Sequence, residues 1–324
     1  MSMLQRTWVC GLVFFVFLGT PEAQEKYPNR LIEFVVQSAP GGSADVAARL
    51  YSDDLAKVLK VPITAVNRAG GAGIQGVTYV TRAKKDGYTL LQGSGSSIII
   101  LPLISKEATY DPLKDLIPLG HFVSVPTVIA VRSDSPFKTL AELIEYARKN
   151  PEKLKNSTGG IGTFSYFSLE LLCVENKIKI TTIPFKSGGE ALPALLGGHV
   201  DMASNTLTTL GPQMAAGKVR GLAITSKKRD PDFPNLPTTA ELGYPDVSFS
   251  TWFGVFAPAG VPQTVTSVLV PALEKVFKDP DVVKRAEKAQ FTVDYKGPDE
   301  FRKFIENEMR LAAKVAEAAK LTKE

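Results

Sequence analysis

At 324 residues the chain exceeds the usual size of one domain, so one large or two moderate domains are expected. A hydrophobic share of 44% with 22% charged residues is that of an ordinary globular protein. The net charge of +5 is scattered, densest at Lys84-Lys85 and Lys227-Lys228-Arg229. It forms no basic stripe interleaved with aromatics, which argues against nucleic acid as a partner.

In chain order, Arg6 precedes an apolar run, Trp8 to Leu18, and then Gly19-Thr20-Pro21-Glu22-Ala23. A basic start, a short apolar core and a small-residue exit predict an export signal over 1–23, with an uncleaved anchor as the alternative. The run is too short to span a bilayer comfortably. Beyond it only Cys173 remains of the two cysteines, so no internal disulfide is expected.

Leu31–Gln37 reads as a buried strand, followed by a turn on Pro40-Gly41-Gly42 and a helix over Ser43–Leu59. Ser43 suits the N-cap and Asp45 the first turn. Pro62–Val66 is strand-like, Ile74–Ala83 helical, and Tyr88–Gln92 a strand that runs into Gly93-Ser94-Gly95-Ser96-Ser97. Val123–Val131 opens a second series of alternating elements. It comprises helices over Leu140–Lys149, Thr163–Val174, Gly189–Leu196 and Leu207–Ala216, with strands over Ile180–Pro184, His199–Ala203 and Val219–Thr225. Val247–Ala257 is again strand-like, Pro262–Phe277 helical, and Asp299–Ala319 a long amphipathic helix carrying Phe301, Phe304, Ile305 and Ala312. Strands alternating with helices imply parallel βαβ units covered on both faces, an α/β fold. The strands near 125 and 250 are the candidate crossings between two lobes, 27–126 with 250–324 and 127–249.

Gly71-Ala72-Gly73-Ile74-Gln75-Gly76 matches G-x-G-x-x-G, but the next strand ends in Gln92-Gly93-Ser94 without the acid that a ribose needs. The match therefore carries little weight. Catalysis has equally thin support. The two histidines, His121 and His199, lie in or beside apolar stretches, and no nucleophile elbow or metal-spaced cluster occurs. Cys173 sits among Leu171 and Leu172, as a core residue does. No cofactor and no metal site is expected.

The positive signal is a set of glycine and hydroxyl loops at strand ends. Ser38–Ser43 and Thr158-Gly159-Gly160-Ile161-Gly162-Thr163 each lead into a helix N-terminus. Read singly, each is equally well a capped turn. Facing each other across a cleft, they would offer backbone N–H groups and dipoles to an anion.

Those loops, with Asn67-Arg68-Ala69-Gly70-Gly71-Ala72-Gly73, Asp86-Gly87-Tyr88-Thr89-Leu90-Leu91, Pro184-Phe185-Lys186-Ser187-Gly188-Gly189, Leu196-Gly197-Gly198-His199-Val200-Asp201 and Trp252-Phe253-Gly254, give the sequence a resemblance. It resembles the Bug family, the extracytoplasmic solute receptors of tripartite tricarboxylate transporters, over nearly the whole chain beyond the signal. The resemblance implies a two-lobed, Venus-flytrap (type II-like) periplasmic binding protein. Each lobe would carry a mostly parallel sheet, and two strands would form the hinge. It implies no enzyme, a small organic carboxylate as ligand, membrane permease subunits as partners, and a monomer.

The expected ligand contacts are Ser38, Gly41, Gly42 and Ser43 from the first loop, with Asp45 organising the turn. Ser94 and Ser96 would line the wall, Thr158, Gly160, Gly162 and Thr163 would grip from the second lobe, and Asn205 would read the far end. Departures from the family pattern at Gln37, Ser38, Asn205, Phe164 and Tyr166 bear on the ligand. Phe164, if it faces the cleft, favours an aromatic acid, while packing against Phe167 and Leu171 is the plainer alternative. A sensor that signals to a membrane kinase, and an enzyme acting on a carboxylate or nucleotide in the same cleft, are the competing readings.

Overall fold

The structure is a computed structural model that describes residues 26–318 and Leu321. The expected export signal lies outside the described residues. Among the described residues ten strands run β1 (Ile32–Val36), β2 (Ile63–Asn67), β3 (Thr89–Ser94), β4 (Leu116–Arg132), β5 (Lys155–Thr158), β6 (Thr181–Pro184), β7 (Met202–Thr206), β8 (Val219–Ile224), β9 (Ser250–Pro258) and β10 (Thr292–Lys296). Between them lie α1 (Ser43–Leu59), α2 (Ile74–Thr81), α3 (Leu101–Ile104), α4 (Pro112–Asp115), α5 (Leu140–Lys149), α6 (Phe164–Asn176), α7 (Gly188–Leu196) and α8 (Leu207–Ala215). Around the last strands come α9 (Gln263–Phe277), α10 (Pro280–Lys288) and α11 (Pro298–Ala318). Among the described residues no helix is long and apolar enough to cross a membrane.

The sheet order is β2-β1-β3-β9-β4-β7-β5-β6, with β8 and β10 also paired to β4. β4 is the element that makes two lobes of one sheet. Its first part, Leu116 to Pro126, pairs antiparallel with β9, and its last part, Thr127 to Arg132, pairs antiparallel with β7 and β8. The parallel pairs, β1 with β2 and β3 and β5 with β6 and β7, lie on the outer side of each lobe. The sheet is therefore mixed, parallel where βαβ units build a lobe and antiparallel where the chain crosses and returns. Two strands, β4 and β9, lie side by side at the crossing, giving the two-lobed architecture that the resemblance implied.

Both faces of the first lobe's sheet are covered, and the strands show it. β1 sends Ile32, Phe34 and Val36 into one core and Val35 into the other. β9 likewise divides Phe253, Val255 and Ala257 from Trp252 and Phe256. On one face Phe122 stacks on Phe277 at 4.4 Å and Tyr51 meets both edge-on. Each such ring contributes roughly 1.5–3 kcal/mol by leaving water. On the other face Trp252 and Phe256 pack on Phe301 of α11, so the terminal helix closes the first lobe. Strand ends, glycine turns and helix starts are thereby pinned at the edge between the lobes.

Candidate functional site

Four helices begin at one small cavity between the lobes. The cavity holds about 80 Å³ and is walled by the first residues or N-caps of α1 (Gly42, Ser43), α6 (Thr163), α7 (Ser187, Gly188) and α8 (Thr206). Two converging N-termini were expected from the loops; the structure brings four, because α7 and α8 follow β6 and β7 as α1 and α6 follow β1 and β5. Each N-terminus leaves N–H groups without an intrahelical partner and carries a partial positive charge. The wall is otherwise uncharged, with hydroxyls and amides beside the apolar Ala44, Ala72 and Phe253, and its single ionisable side chain is Lys186, exposed at the rim. Such a wall attracts an anion without burying a cation.

The first loop is held from behind by Asp45. Its carboxylate accepts from the Gly41 N–H at 3.1 Å, from Arg49 Nε at 3.0 Å and from Asn67 Nδ2 at 2.9 Å, and Asn67 also donates to the Ser38 carbonyl. Burial, with 4% exposed, pushes the Asp45 carboxyl up, but the bonds from Arg49, Asn67 and Gly41 outweigh it and hold the group below its usual range. Gly41, at φ +76°, supplies the left-handed turn. Asp45 and Gly41 thus shape the loop without facing the cavity. The cap of α1 corrects the sequence reading, since Gly42 is the N-cap and Ser43 the first helical residue. The Ser43 hydroxyl reaches instead across the cleft to Thr206 and Thr208.

Hydrogen-bond accounting sorts the wall, since each hydroxyl has one proton and two lone pairs. Ser96 Oγ accepts from the Phe164 N–H across the cleft, and Ser94 Oγ accepts from Gln37 Nε2. Both keep a proton to donate. Ser187 Oγ accepts from the Glu190 N–H and keeps its proton too. Thr163 Oγ1 donates to the Gly160 carbonyl and accepts from the Tyr166 N–H, so it offers only a lone pair. Asn205 donates to the Gly188 carbonyl and accepts from the Thr206 N–H, tying β7 to the start of α7.

Of the expected contacts, the structure brings Ser38, Gly42, Ser43, Ser94, Ser96, Thr163 and Asn205 together on the cavity wall. Gly41, Asp45, Thr158, Gly160, Gly162 and Phe164 are not on it. Thr158 is fully buried in β5. Gly160 and Gly162 lie where the lobes meet, a Cβ on Gly162 falling 2.3 Å from Leu101 of α3. Phe164 is wholly buried and stacks on Phe249 at 5.7 Å. At the first position of α6 its ring turns into the core while only its N–H reaches Ser96, so it offers no face to an aromatic ligand. Tyr166 is not on the wall either. Sequence reasoning missed Lys186, Ser187 and Gly188, although Ser187-Gly188-Gly189 after a strand repeats the glycine and hydroxyl signal of the other loops. It also missed Ser165, Thr206, Thr251 and Phe253.

His121 and Cys173 take no part. His121, on β4, bonds the Asp294 carbonyl through Nδ1 within a cage of Trp252, Phe301 and Phe304. Cys173 is buried, which pushes its thiol up to about 12, the wrong direction for a nucleophile. Among the described residues no group of side chains is arranged to hold a metal ion.

Comparison with known proteins shows the family. The model of the tripartite tricarboxylate transporter family receptor matches residues 47–321. Protein BugT of Bordetella pertussis is 31% identical over 312 residues, 96% of each chain. MatC from Rhodopseudomonas palustris, solved with bound malate, superposes with a TM-score of 0.85 at 30% identity, covering 89% of this chain and 99% of its own. R. palustris Rpa4515, solved with adipate, gives 0.87 at 28% identity, with 92% and 100% covered. The chain belongs to the tripartite tricarboxylate transporter receptor family, whose members are extracytoplasmic solute-binding proteins and not enzymes.

Proposed function

We propose that the protein captures a small organic carboxylate between its lobes and delivers it to the permease subunits of a tripartite tricarboxylate-type transporter. The observation that carries this reading is the convergence of four helix N-termini on one hydroxyl-bearing cavity whose wall has a single, rim-placed cation. Each N-terminal contact contributes about 0.3–1 kcal/mol, more when partly buried, and several together support micromolar binding, roughly −8 kcal/mol. In this reading Ser38, Gly42, Ser43, Ser94, Ser96, Thr163 and Asn205 contact the ligand. The lobes 27–126 with 250–324 and 127–249 close as bodies on the β4–β9 hinge, and the segment 1–23 directs export. The burial of Phe164 takes away one support for an aromatic acid, leaving aliphatic acids the better fit to a small hydroxyl-lined space.

The test is a thermal-shift screen of the exported chain against aliphatic and aromatic mono- and dicarboxylates. A ligand at 100 times its dissociation constant adds about 2.7 kcal/mol, a rise of several degrees in the melting midpoint. A selective hit recovered chemically unchanged is the expected result. A flat response to every carboxylate would overturn the assignment.

A further inference from the structure

Three hydroxyls from opposite lobes close a triangle beside the cavity. Ser43 Oγ lies 2.6 Å from Thr206 Oγ1 and 2.8 Å from Thr208 Oγ1, and the two threonine oxygens lie 2.9 Å apart. Thr209 Oγ1 adds a fourth bond, 3.2 Å from Thr206.

Three bonds among three hydroxyls consume all three protons, each oxygen donating once and accepting once. Thr209 then donates into the ring, which fills the second lone pair of Thr206. Were Thr206 to donate to Thr209 instead, two protons would have to serve three edges. Two lone pairs would then face each other at under 3 Å. The consistent arrangement leaves Ser43, which faces the cavity, with one lone pair and no proton. Thr163 on the facing loop is likewise reduced to a lone pair, while Ser94 and Ser96 keep their protons.

A carboxylate has no proton for an oxygen that can only accept. Its natural place is the donor side, at Ser94, Ser96 and the helix N-termini. We propose that the receptor selects carboxylates that also carry a hydroxyl group, whose proton goes to Ser43. Thr208, outside the cavity, is the positioning residue that closes the ring and so commits the Ser43 proton. An ammonium group would also donate, but the wall has no carboxylate to neutralise it, since Asp45 is buried behind the loop and engaged with Arg49. The relatives leave the point open, as malate carries a hydroxyl and adipate none. This inference rests on the carboxylate reading above and narrows it.

Calorimetric titration of the exported chain with matched pairs tests it: malate against succinate, 2-hydroxyglutarate against glutarate, and 3-hydroxybutyrate against butyrate, with aspartate as the amino counterpart of malate. The hydroxylated member of the best-fitting pair should bind about fivefold more tightly or better, the worth of one net hydrogen bond. In Thr208→Val two edges of the ring are lost and only Ser43–Thr206 remains, so Thr206 can donate to Ser43 and leave the Ser43 proton to offer. The preference should fall toward parity with the melting midpoint little changed, and Thr208→Ser should restore it. Equal binding within every pair, a preference untouched by Thr208→Val, or aspartate above malate would overturn the inference while leaving a carboxylate receptor. Failure of every carboxylate to bind would remove both readings together.

Discussion

Asp45 acts on the first cavity loop from a place behind the cavity wall. Its carboxylate ties the Gly41 N–H to Arg49 and Asn67, so Asp45→Asn should loosen the turn and cost about 1 kcal/mol, little of it from the exposed Arg49 pair. The cost depends on pH in a definite sense. The folded carboxyl is held below its ordinary value of 3.8, so its contribution is complete above that value and fades as the pH falls through the lower folded one. Melting midpoints of wild type and Asp45→Asn should differ at pH 7 and draw together as the pH falls below 3.8. A constant gap would mean that the charge is irrelevant to the turn. Asp45 was legible as a turn organiser because its partners are local, Gly41 and Arg49 each four residues away. Ser43 was legible as a site residue but not in its role. Its hydrogen-bond partners, Thr206 and Thr208, lie 163 and 165 residues further on, and no local pattern announces them. Phe164 could be read two ways from spacing alone. The tertiary fact that decides it is Phe249, from the far end of the second lobe.

At the scale of elements, closure depends on how near the loops can come. Gly162, at φ +89°, sits against Leu101, where a Cβ would approach to 2.3 Å. Gly162→Ala adds left-handed strain of about 1–3 kcal/mol and an obstacle between the lobes. Ligand affinity should fall tenfold or more, and the radius of gyration with saturating ligand should stay at its ligand-free value. Unchanged affinity would show that the lobes need not meet there. The α/β alternation was plain in the sequence because buried strands and amphipathic helices have different periods. Elements that break this grammar were not. β4 reads short, as Val123–Val131, because Pro118 and Gly120 look like breaks before it. Pro118 and Gly120 sit at an irregularity in the register with β9, and Pro126 sits where β4 changes partners. α10 did carry a signal, Asp279 before Pro280, and the Asp279 side chain caps the Asp281 and Val282 N–H groups. β10 has five residues and only one wholly apolar member, Val293, too little for periodicity.

At the scale of the molecule, the buried histidine links the hinge to pH. Burial pushes His121 down to about 4, with the nearby Lys296 adding to the effect. The unfolded chain takes up this proton near 6.5. Between those values the unfolded state binds more protons, and stability drops as the pH falls, by at most about 1.4 kcal/mol per unit. Wild type should lose melting temperature between pH 6.5 and 4 more steeply than His121→Phe. Parallel curves would assign the loss to other groups. β4 carries a consequence of another kind. A domain joined to its neighbour by a loose linker can melt while the neighbour stands, but here one strand supplies backbone bonds to β9 and β10 up to Pro126 and to β7 and β8 beyond it. Fraying either sheet strips ladder bonds from a strand that the other sheet needs. The crossing is made of the protein's own core, so the opening and closing proposed for the lobes would bring with it no freedom to come apart in pieces.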